Sequence, residues 1–211
     1  MYNGDIWDQI YMKHINDAPW LSDMYSDRYS QLIDSYIPRI YRGAKLLDYG
    51  CGNGKLAYHQ YERGAVIDMT EISRIMIKYL KETYSKPGIN IFETDYPSQL
   101  GNEGKYDIII AWMFFCNINP EVWSIFLQDF YRLMKTDSYI IIGGWDSEDP
   151  VIKRNNHISP YTERLMWPIN PIVNYIGQMF DISANDKHNI KLSIYSETRI
   201  IRCIKLSKIN K

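Results

Sequence analysis

The middle of the sequence alternates short apolar runs with segments of helical periodicity, and this alternation constrains the fold more than any other feature. Segments with strand character occupy residues 46–49, 65–70, 90–93, 106–111 and 139–142. Between them, residues 72–80 and 123–134 place apolar side chains every three or four positions, as an amphipathic helix does. Strands that alternate with helices in this way predict parallel βαβ units and therefore an α/β fold.

The sequence on either side of this core has a different character. Residues 1–40 contain a helical pattern that ends at Pro38, whereas the sequence after Gly144 is irregular, with four of the nine prolines between residues 150 and 171. Residues 198–206 alternate apolar and polar side chains, which predicts an antiparallel strand at or near the sheet edge. The length of 211 residues is that of one domain, which divides into residues 1–40, 41–145 and 146–211.

Charge and cysteine content argue against several classes of function. With 24 basic and 25 acidic residues the formal net charge is −1, so a basic surface for a nucleic acid or an anionic membrane is not expected. A run of about 18 apolar residues that would span a bilayer is absent, and residues 1–20 lack the apolar core of a signal peptide. Cys51, Cys116 and Cys203 are far apart and show no zinc-binding spacing, which predicts a reducing, cytoplasmic location and no metal site.

A glycine cluster follows the first predicted strand. Gly50, Gly52 and Gly54 lie between that strand and a helical pattern at residues 55–62. Glycines let the main chain turn sharply and let a ligand approach it closely, opposite the N–H groups that begin a helix. The cluster therefore predicts either a tight turn or a nucleotide-binding loop.

An acidic residue at the right distance favours the nucleotide-binding loop. In nucleotide-binding α/β folds, a carboxylate about 20 residues beyond the glycines binds the ribose hydroxyls from the end of the second strand. Glu71 lies 21 residues after Gly50, and Asp68 lies 18 residues after it. Glu71 is the better candidate because it falls at the predicted strand-to-helix junction, whereas Asp68 falls inside the strand.

The spacing of the glycines is G-x-G-x-G, which differs from the G-x-G-x-x-G of dinucleotide-binding proteins. With the preceding acidic residue, residues 48–54 (DYGCGNG) match the first motif of the class I S-adenosylmethionine (SAM)-dependent methyltransferases. Residues 71–77 (EISRIMI) resemble the second segment of that family, and residues 94–96 (TDY) resemble the third. The chain resembles the family over about residues 40–145. Within the family, it resembles most the members that methylate small molecules.

The resemblance implies a Rossmann-like three-layer α/β sandwich with a mostly parallel seven-stranded sheet, an antiparallel last strand and an N-terminal helical lid. Residues 1–40 would be the lid, residues 41–145 the SAM-binding core, and residues 146–211 the substrate-side segment and final strands. The implied cofactor is SAM, and the product is S-adenosylhomocysteine (SAH).

The resemblance also assigns residues to the methionine and ribose parts of the cofactor. The methionine part would lie on the main chain of a loop that contains Gly50, Cys51, Gly52 and Gly54. Asp48 would bind toward the amino group of the methionine part, and Glu71 would bind both ribose hydroxyls.

The remaining implied contacts involve the adenine, the sulfonium and the lid. Ile72 would pack on the adenine, Asp95 would accept from its amino group, and Tyr96 would lie beside it; the alternative for Asp95 is a turn residue before Pro97. Ala111 and Trp112 would border the sulfonium. Trp7 and Tyr11 resemble a W-x-x-x-Y lid segment, and their spacing is equally compatible with simple helix packing.

A general base is not evident from the sequence. Many small-molecule methyltransferases carry a His-His pair where this chain has Cys116 and Asn117. His157 is the best candidate base, with a surface histidine as the alternative, and Asp146 is a further candidate.

An anionic acceptor would need no base, because its nucleophile carries no proton to remove. Lys153 and Arg154 are candidates for binding such an acceptor, since basic side chains form charge-assisted hydrogen bonds with carboxylate or phosphate oxygens.

The sequence therefore predicts a SAM-dependent methyltransferase that acts on the oxygen or nitrogen of a small molecule, as a monomer or homodimer, without nucleic acid or membrane. A SAM-binding regulatory or partner subunit without catalytic activity is the alternative. A nicotinamide-dependent enzyme is a third hypothesis, which the glycine spacing disfavours.

Overall fold

The computed structural model describes residues 4–14, 23–37, 42–101, 103–158, 164–176, 179–191 and 198–209. Within them the helices are α1 (Gly4–His14), α2 (Asp23–Tyr36), α3 (Lys55–Glu62), α4 (Arg74–Tyr84), α5 (Trp123–Leu133) and α6 (Pro150–Arg154). The strands are β1 (Lys45–Tyr49), β2 (Val66–Glu71), β3 (Ile89–Glu93), β4 (Tyr106–Trp112), β5 (Met134–Trp145), β6 (Phe180–Lys191) and β7 (Thr198–Lys208). The predicted helix end at Pro38 lies outside the described residues.

The described strands form one seven-stranded sheet in the order β3-β2-β1-β4-β5-β7-β6. Strands β1 to β5 pair in parallel, and β7 runs antiparallel to both β5 and β6. The predicted Rossmann-like fold, mostly parallel with an antiparallel last strand, is confirmed. β7 lies one position inside the edge of the sheet, which agrees with the predicted strand at or near the edge.

The strand order reverses direction at β1, and this reversal positions the site. From β1 the chain proceeds to β2 and β3 on one side, and then to β4 and β5 on the other. Because parallel crossovers are right-handed, the connections on the two sides place their helices on opposite faces of the sheet. Ligands of open α/β sheets bind at the carboxyl ends of the strands where the order reverses, which here means between β1 and β4.

Polar side chains cap the start of α4 and the turn that precedes α5. The Ser73 hydroxyl accepts a hydrogen bond from the Met76 N–H at the start of α4, and the Asn119 side chain accepts from the Glu121 N–H in the turn before α5. The residues that face the core from α5 are Trp123, Phe126, Leu127, Phe130 and Leu133. The predicted helical patterns therefore correspond to helices held by their apolar faces.

β6 is the strand that the hydrophobic pattern did not indicate. Its sequence contains six polar or charged residues in the run SANDKHN, and most of its side chains are exposed. It nevertheless pairs with β7 along the length of both strands. As the outermost strand of the sheet, β6 is stabilised by main-chain hydrogen bonds to an apolar neighbour, so its own residues need not be apolar.

α1 lies against the beginning of α4, at the carboxyl end of β2. The Asp8 carboxylate accepts hydrogen bonds from the Ser73 hydroxyl and, at 3.2 Å, from the Ile75 N–H. A β-carbon built on Gly4 would lie 2.6 Å from the Ile72 carbonyl oxygen, so the two main chains approach closely. In the described part of the chain, the helices are too short or too polar to cross a lipid bilayer.

Candidate functional site

The loop after β1 adopts a conformation that requires glycine. Gly50, Gly52 and Gly54 have φ angles of 70°, 55° and 73°, in the left-handed region that side chains disfavour. A β-carbon at Gly54 would also lie 2.6 Å from Leu80 Cδ2. The loop is therefore bare main chain at the carboxyl end of β1, as a nucleotide-binding loop must be.

The end of β2 holds this loop in place. The Cys51 N–H donates to the Thr70 carbonyl oxygen at 2.9 Å, and the Gly50 N–H donates to Thr70 Oγ1 at 3.2 Å. Thr70 is buried. The sequence did not identify Thr70, because its role depends on the pairing of β1 with β2.

Glu71 connects the end of β2 to the glycine loop. Its carboxylate accepts hydrogen bonds from the N–H groups of Gly52 at 3.1 Å, Ile72 at 2.8 Å and Ser73 at 3.0 Å. Burial raises the pKa of Glu71, and these three hydrogen bonds oppose the shift. The carboxylate therefore lies at the strand-to-helix junction, beside the loop, where a ribose diol would be bound.

Asp68, the rival candidate, points to a different environment. Its carboxylate pairs with Lys105 Nζ at 2.8 Å and accepts from the Tyr106 hydroxyl at 2.7 Å and the Asn90 amide at 2.7 Å. Burial alone would raise the pKa of Asp68, but these partners lower it. Asp68 is thus a structural ion-pair residue inside β2.

Asp48 is the other acidic residue at the loop. It is 1% exposed, and burial together with the nearby Glu71 charge raises its pKa to about 7. Its Oδ2 atom is buried and has no hydrogen-bond partner among the described residues. An unpartnered buried carboxylate oxygen beside a bare glycine loop fits the ammonium group of the methionine part of SAM.

The predicted adenine-binding residues cluster at the ends of β2 and β3. Ile72 is buried, whereas Asp95 and Tyr96 are exposed and follow β3. The Asp95 N–H donates to Gln99 Oε1 at 3.0 Å, and the Tyr96 ring stacks on Phe126 with centroids 5.4 Å apart. Because β2 and β3 pair in parallel up to Glu71 and Glu93, these three residues follow the carboxyl ends of two neighbouring strands.

α1 covers the glycine loop. Tyr11 is buried, and its hydroxyl oxygen lies 3.6 Å from the position of a β-carbon on Gly52. The rings of Trp7 and Tyr11 are 6.0 Å apart. The structure therefore brings the predicted lid residue Tyr11 to the loop and places Trp7 one helical turn away.

At the end of β4, Ala111 and Trp112 are both buried. The Trp112 ring packs on Gly143 of β5, where a β-carbon would lie 2.1 Å from the ring. The centres of the Trp112 and Tyr29 rings are 5.1 Å apart, so the indole also contacts α2. The Trp112 indole nitrogen is buried without a partner in the described part of the chain. The indole thus fills the space above β5, beside the predicted sulfonium position.

Asp146 is engaged in structural contacts. It accepts from Arg202 Nε at 2.7 Å, the Asn170 amide at 3.0 Å and the Glu148 N–H at 2.8 Å. Burial would raise the pKa of Asp146, but these donors lower it. A paired carboxylate with a lowered pKa is a poor proton acceptor, so these contacts favour a structural role over the predicted catalytic one.

The other predicted acceptor-side residues follow β5. Lys153 and Arg154 are exposed on α6, and His157 has its Nδ1 atom buried without a partner among the described residues. A residue that the sequence did not indicate, Arg164, lies with its guanidinium 5.6 Å from the centre of the Trp7 ring. No pattern in the sequence links these two residues, because they are far apart along the chain.

No cluster of three or more potential metal ligands occurs among the residues that the structure describes. The three cysteines are free and buried.

Comparisons with known proteins identify the family and the fold of the chain. The family model described as a methyltransferase domain matches residues 21–200. The ribosomal protein L11 methyltransferase of Nitratiruptor sp. is 29% identical over 102 residues. That match covers 48% of this chain and 35% of the relative, so the chain matches only about a third of the relative's length.

Solved structures show the same fold at low sequence identity. A SAM-dependent methyltransferase from Anabaena variabilis superposes with a TM-score of 0.75 and 15% identity, over 98% of this chain and 95% of that one. The 1,6-didemethyltoxoflavin-N1-methyltransferase of Burkholderia thailandensis, solved with 1,6-didemethyltoxoflavin and SAH, has a TM-score of 0.71 and 13% identity, over 98% and 88%. The family match covers most of the chain, and the chain belongs to the methyltransferase domain family, with the fold of the class I SAM-dependent methyltransferases.

Proposed function

We propose that this methyltransferase acts on the oxygen or nitrogen of a small-molecule acceptor. The observation that carries the proposal is the bare glycine loop flanked by two buried carboxylates, Asp48 and Glu71, and covered by Tyr11 of the lid. This enclosed arrangement suits a small acceptor that enters beside the cofactor. The net charge of −1 does not favour a nucleic-acid acceptor.

The cofactor-binding residues hold the donor in a fixed orientation. Asp48 binds the ammonium group of the methionine part, and Glu71 accepts from the ribose hydroxyls. Ile72, Asp95 and Tyr96 bind the adenine. Each contact fixes one end of the donor, so that its methyl group faces the acceptor side, in the region bordered by Ala111 and Trp112.

Catalysis by this chain depends mainly on position. When bound, SAM supplies an electrophilic methyl group, whose bond to sulfur breaks as the acceptor's electron pair forms the new bond, leaving neutral SAH. The protein holds donor and acceptor in line, and Trp7 and Tyr11 of the lid exclude water, which is catalysis by proximity. His157 accepts the proton where the acceptor nucleophile carries one, through an imidazole nitrogen.

The acceptor binds to the segment after β5. Residues 146–211 form the substrate side of the domain in this proposal, with Lys153 and Arg154 as candidate contacts for an anionic acceptor. The Burkholderia thailandensis neighbour binds 1,6-didemethyltoxoflavin, a small heteroaromatic molecule, on the same fold. A small-molecule acceptor for this chain is consistent with that neighbour. We infer in addition a cytoplasmic location and a monomeric or homodimeric state.

A second candidate function is SAM binding without turnover, as a regulatory or partner subunit. The contacts of Asp146 favour it, because this candidate base is occupied by Arg202 and Asn170. Methyl transfer remains the better proposal because an acceptor that is already anionic needs no base.

Two measurements test the proposal. Calorimetry on the ligand-stripped protein is expected to detect one SAM site per chain, with SAH competing for it. Incubation with SAM and a low-molecular-weight cell extract is then expected to produce SAH faster than incubation without the extract. SAM binding without extract-dependent SAH production would support the regulatory alternative, and absence of SAM binding would contradict both functions.

A further inference from the structure

Arg164 carries a buried polar atom that the cofactor site does not explain. Its guanidinium carbon lies 5.6 Å from the centre of the Trp7 ring. The Nη1 atom is buried and has no hydrogen-bond partner among the described residues. The residue as a whole is partly exposed, so the guanidinium is reachable from one side while its Nη1 end is shielded from water.

An arginine in this situation needs an acceptor. The guanidinium stays protonated at all physiological pH values, so burial cannot be relieved by loss of the proton. A buried N–H without a partner costs free energy, and more so when it belongs to a charged group. The arrangement is therefore complete only when an oxygen with negative charge faces Nη1.

The Trp7 ring, which lies against the guanidinium, also needs a hydrogen-bond acceptor. The Trp7 indole nitrogen is also buried without a partner in the described part of the chain. Like the guanidinium, the indole N–H is a donor and cannot accept. Two buried donors on two neighbouring side chains cannot satisfy one another, so each needs an acceptor, which a ligand bound between them can supply.

The position of Arg164 is set by the segment that follows β5. Leu165 forms an antiparallel bridge with Ile158, and the Met166 N–H donates to the His157 carbonyl oxygen at 2.5 Å. The Trp167 N–H then donates to the carbonyl oxygen of Cys116, just beyond β4, at 2.8 Å. These bonds tie the segment to the loop after β4 and hold Arg164 against the lid helix.

The two exposed basic residues of α6 do not share this environment. Lys153 and Arg154 are exposed on the helix surface. Water screens exposed charges, and a single exposed ion pair contributes little to binding. A partly buried guanidinium on an aromatic ring is a stronger oxyanion-binding group, because it can offer two parallel N–H donors to one carboxylate or phosphate.

We propose, resting on the function proposed above, that Arg164 and Trp7 bind a carboxylate or phosphate group of the methyl acceptor. The acceptor is then an anionic small molecule that is held between the lid helix and the segment after β5. The cofactor's own carboxylate has the same chemistry and is the other possible source of the oxyanion. The experiment separates the two sources by measuring the affinities for SAH and for the anion independently.

The probes are benzoate and phenyl phosphate, with benzamide as a neutral molecule of the same shape as benzoate. Each is titrated into the SAH-saturated protein and followed by calorimetry and by tryptophan fluorescence, to which Trp7 contributes as one of six tryptophans. Both anions are expected to bind more tightly than benzamide. In Arg164→Gln the affinity for both is expected to fall about ten- to a hundredfold, the loss typical of hydrogen bonds to a charged group.

Matched variants assign the effect to Arg164. Arg28→Gln removes an exposed arginine from α2 and should leave all affinities unchanged. Arg164→Lys keeps the charge without the planar donor pair and should fall between the wild type and Arg164→Gln. Thermal unfolding of each variant identifies any loss of folding.

Three results would overturn the proposal. In the first, neither anion binds the wild type more tightly than benzamide. In the second, Lys153→Gln or Arg154→Gln loses the anion while Arg164→Gln retains it. In the third, Arg164→Gln loses affinity for SAH and not for the anions, which assigns the guanidinium to the cofactor. A wild-type protein that does not bind SAH refutes the proposed function itself, which is a different outcome.

Discussion

Asp68 and Glu71, three positions apart in β2, show how environment separates two carboxylates. Asp68 is surrounded by side-chain donors, among them Lys105 and Tyr106, and Glu71 by main-chain N–H groups of the glycine loop and of α4. The first arrangement is complete within the protein. The second arrangement can change when a ligand binds, because a main-chain N–H that donates to Glu71 can donate to a ligand at the loop instead.

We expect Glu71→Ala to weaken SAH binding about ten- to a hundredfold, because the ribose diol loses a charged acceptor. Calorimetry measures the affinity. Asp68→Asn is the matched control, and it should lower the thermal unfolding midpoint while leaving the affinity for SAH unchanged. If Asp68→Asn folded normally and failed to bind SAH, our assignment of the ribose to Glu71 would be wrong.

The buried Asp48 carboxyl predicts how the stability of the unliganded protein depends on pH. Its pKa is about 7 in the folded protein, compared with 3.8 for an ordinary aspartate, because burial and Glu71 favour the neutral form. The stabilisation from this raised pKa is fully present below pH 3.8 and is lost as the pH rises through 7. Urea unfolding between these limits should show this loss in the wild type, and Asp48→Asn should lack it.

The same group predicts the pH dependence of cofactor binding. Only the ionised carboxylate attracts the ammonium group of SAM, so the affinity should rise as the pH increases through 7. Calorimetry in buffers of different ionisation enthalpy should detect a proton released on binding. Asp48→Asn should bind SAM more weakly and with little dependence on pH, and an unchanged pH profile in that variant would contradict the assignment.

Among the elements, α1 is joined to the beginning of α4 by a carboxylate. Asp8 accepts from the Ser73 hydroxyl and the Ile75 N–H, and so joins the lid helix to the first turn of α4. That turn follows Glu71 directly. The lid helix and the proposed ribose-binding residue Glu71 are therefore both in contact with the first turn of α4.

We expect Asp8→Ala to loosen the lid, because loss of such a capping interaction costs about 0.5–2 kcal/mol. Amide hydrogen exchange should become faster in residues 4–14, and stopped-flow measurements should show faster release of SAH. Gln9→Ala changes an exposed neighbour on the same helix and should alter neither rate. Equal exchange rates in α1 for Asp8→Ala and the wild type would mean that other contacts hold the helix.

The elements differ in how far their own residues predict them. Helix α3 has the predicted limits, residues 55–62, because a glycine loop precedes it and its apolar periodicity is local. Strand β5 extends from Met134 to Trp145, well beyond the predicted residues 139–142, since its ends pair with neighbours. Strand β6 is polar and was not predicted, because its stability comes from β7 and not from its own side chains.

At the scale of the whole molecule, a buried ion pair joins the segment after β5 to the last strand. Asp149 and Arg199 are both buried, with Nε 2.9 Å from Oδ2, and Asp149 also caps α6 through the N–H groups of Val151 and Ile152. The Arg199 guanidinium lies 3.7 Å from the centre of the Trp145 ring. The segment after β5 thus depends on contacts across some 50 residues of sequence.

We expect Asp149→Ala to destabilise the protein by about 3–5 kcal/mol, because it leaves the Arg199 charge buried without its partner. Urea denaturation followed by circular dichroism measures this change. Glu148 is the matched control, since it is the neighbouring acid and its pair with Lys187 is exposed. Glu148→Ala should leave the stability almost unchanged, and a comparable loss in both variants would contradict the buried-pair argument.

The sequence alone predicted the residues of the proposed cofactor half of the site. Its loop needs glycine where φ is positive, its carboxylates stand at fixed distances along the chain, and adjacent parallel strands bring their carboxyl ends together. The acceptor half was decided only by tertiary structure. Asp146 is engaged by Arg202, and Arg164 lies on Trp7, through contacts between residues far apart in sequence. That long-range packing decides which polar groups find partners on folding and which remain for a ligand. Local sequence patterns do not predict it, because the partners are far apart along the chain.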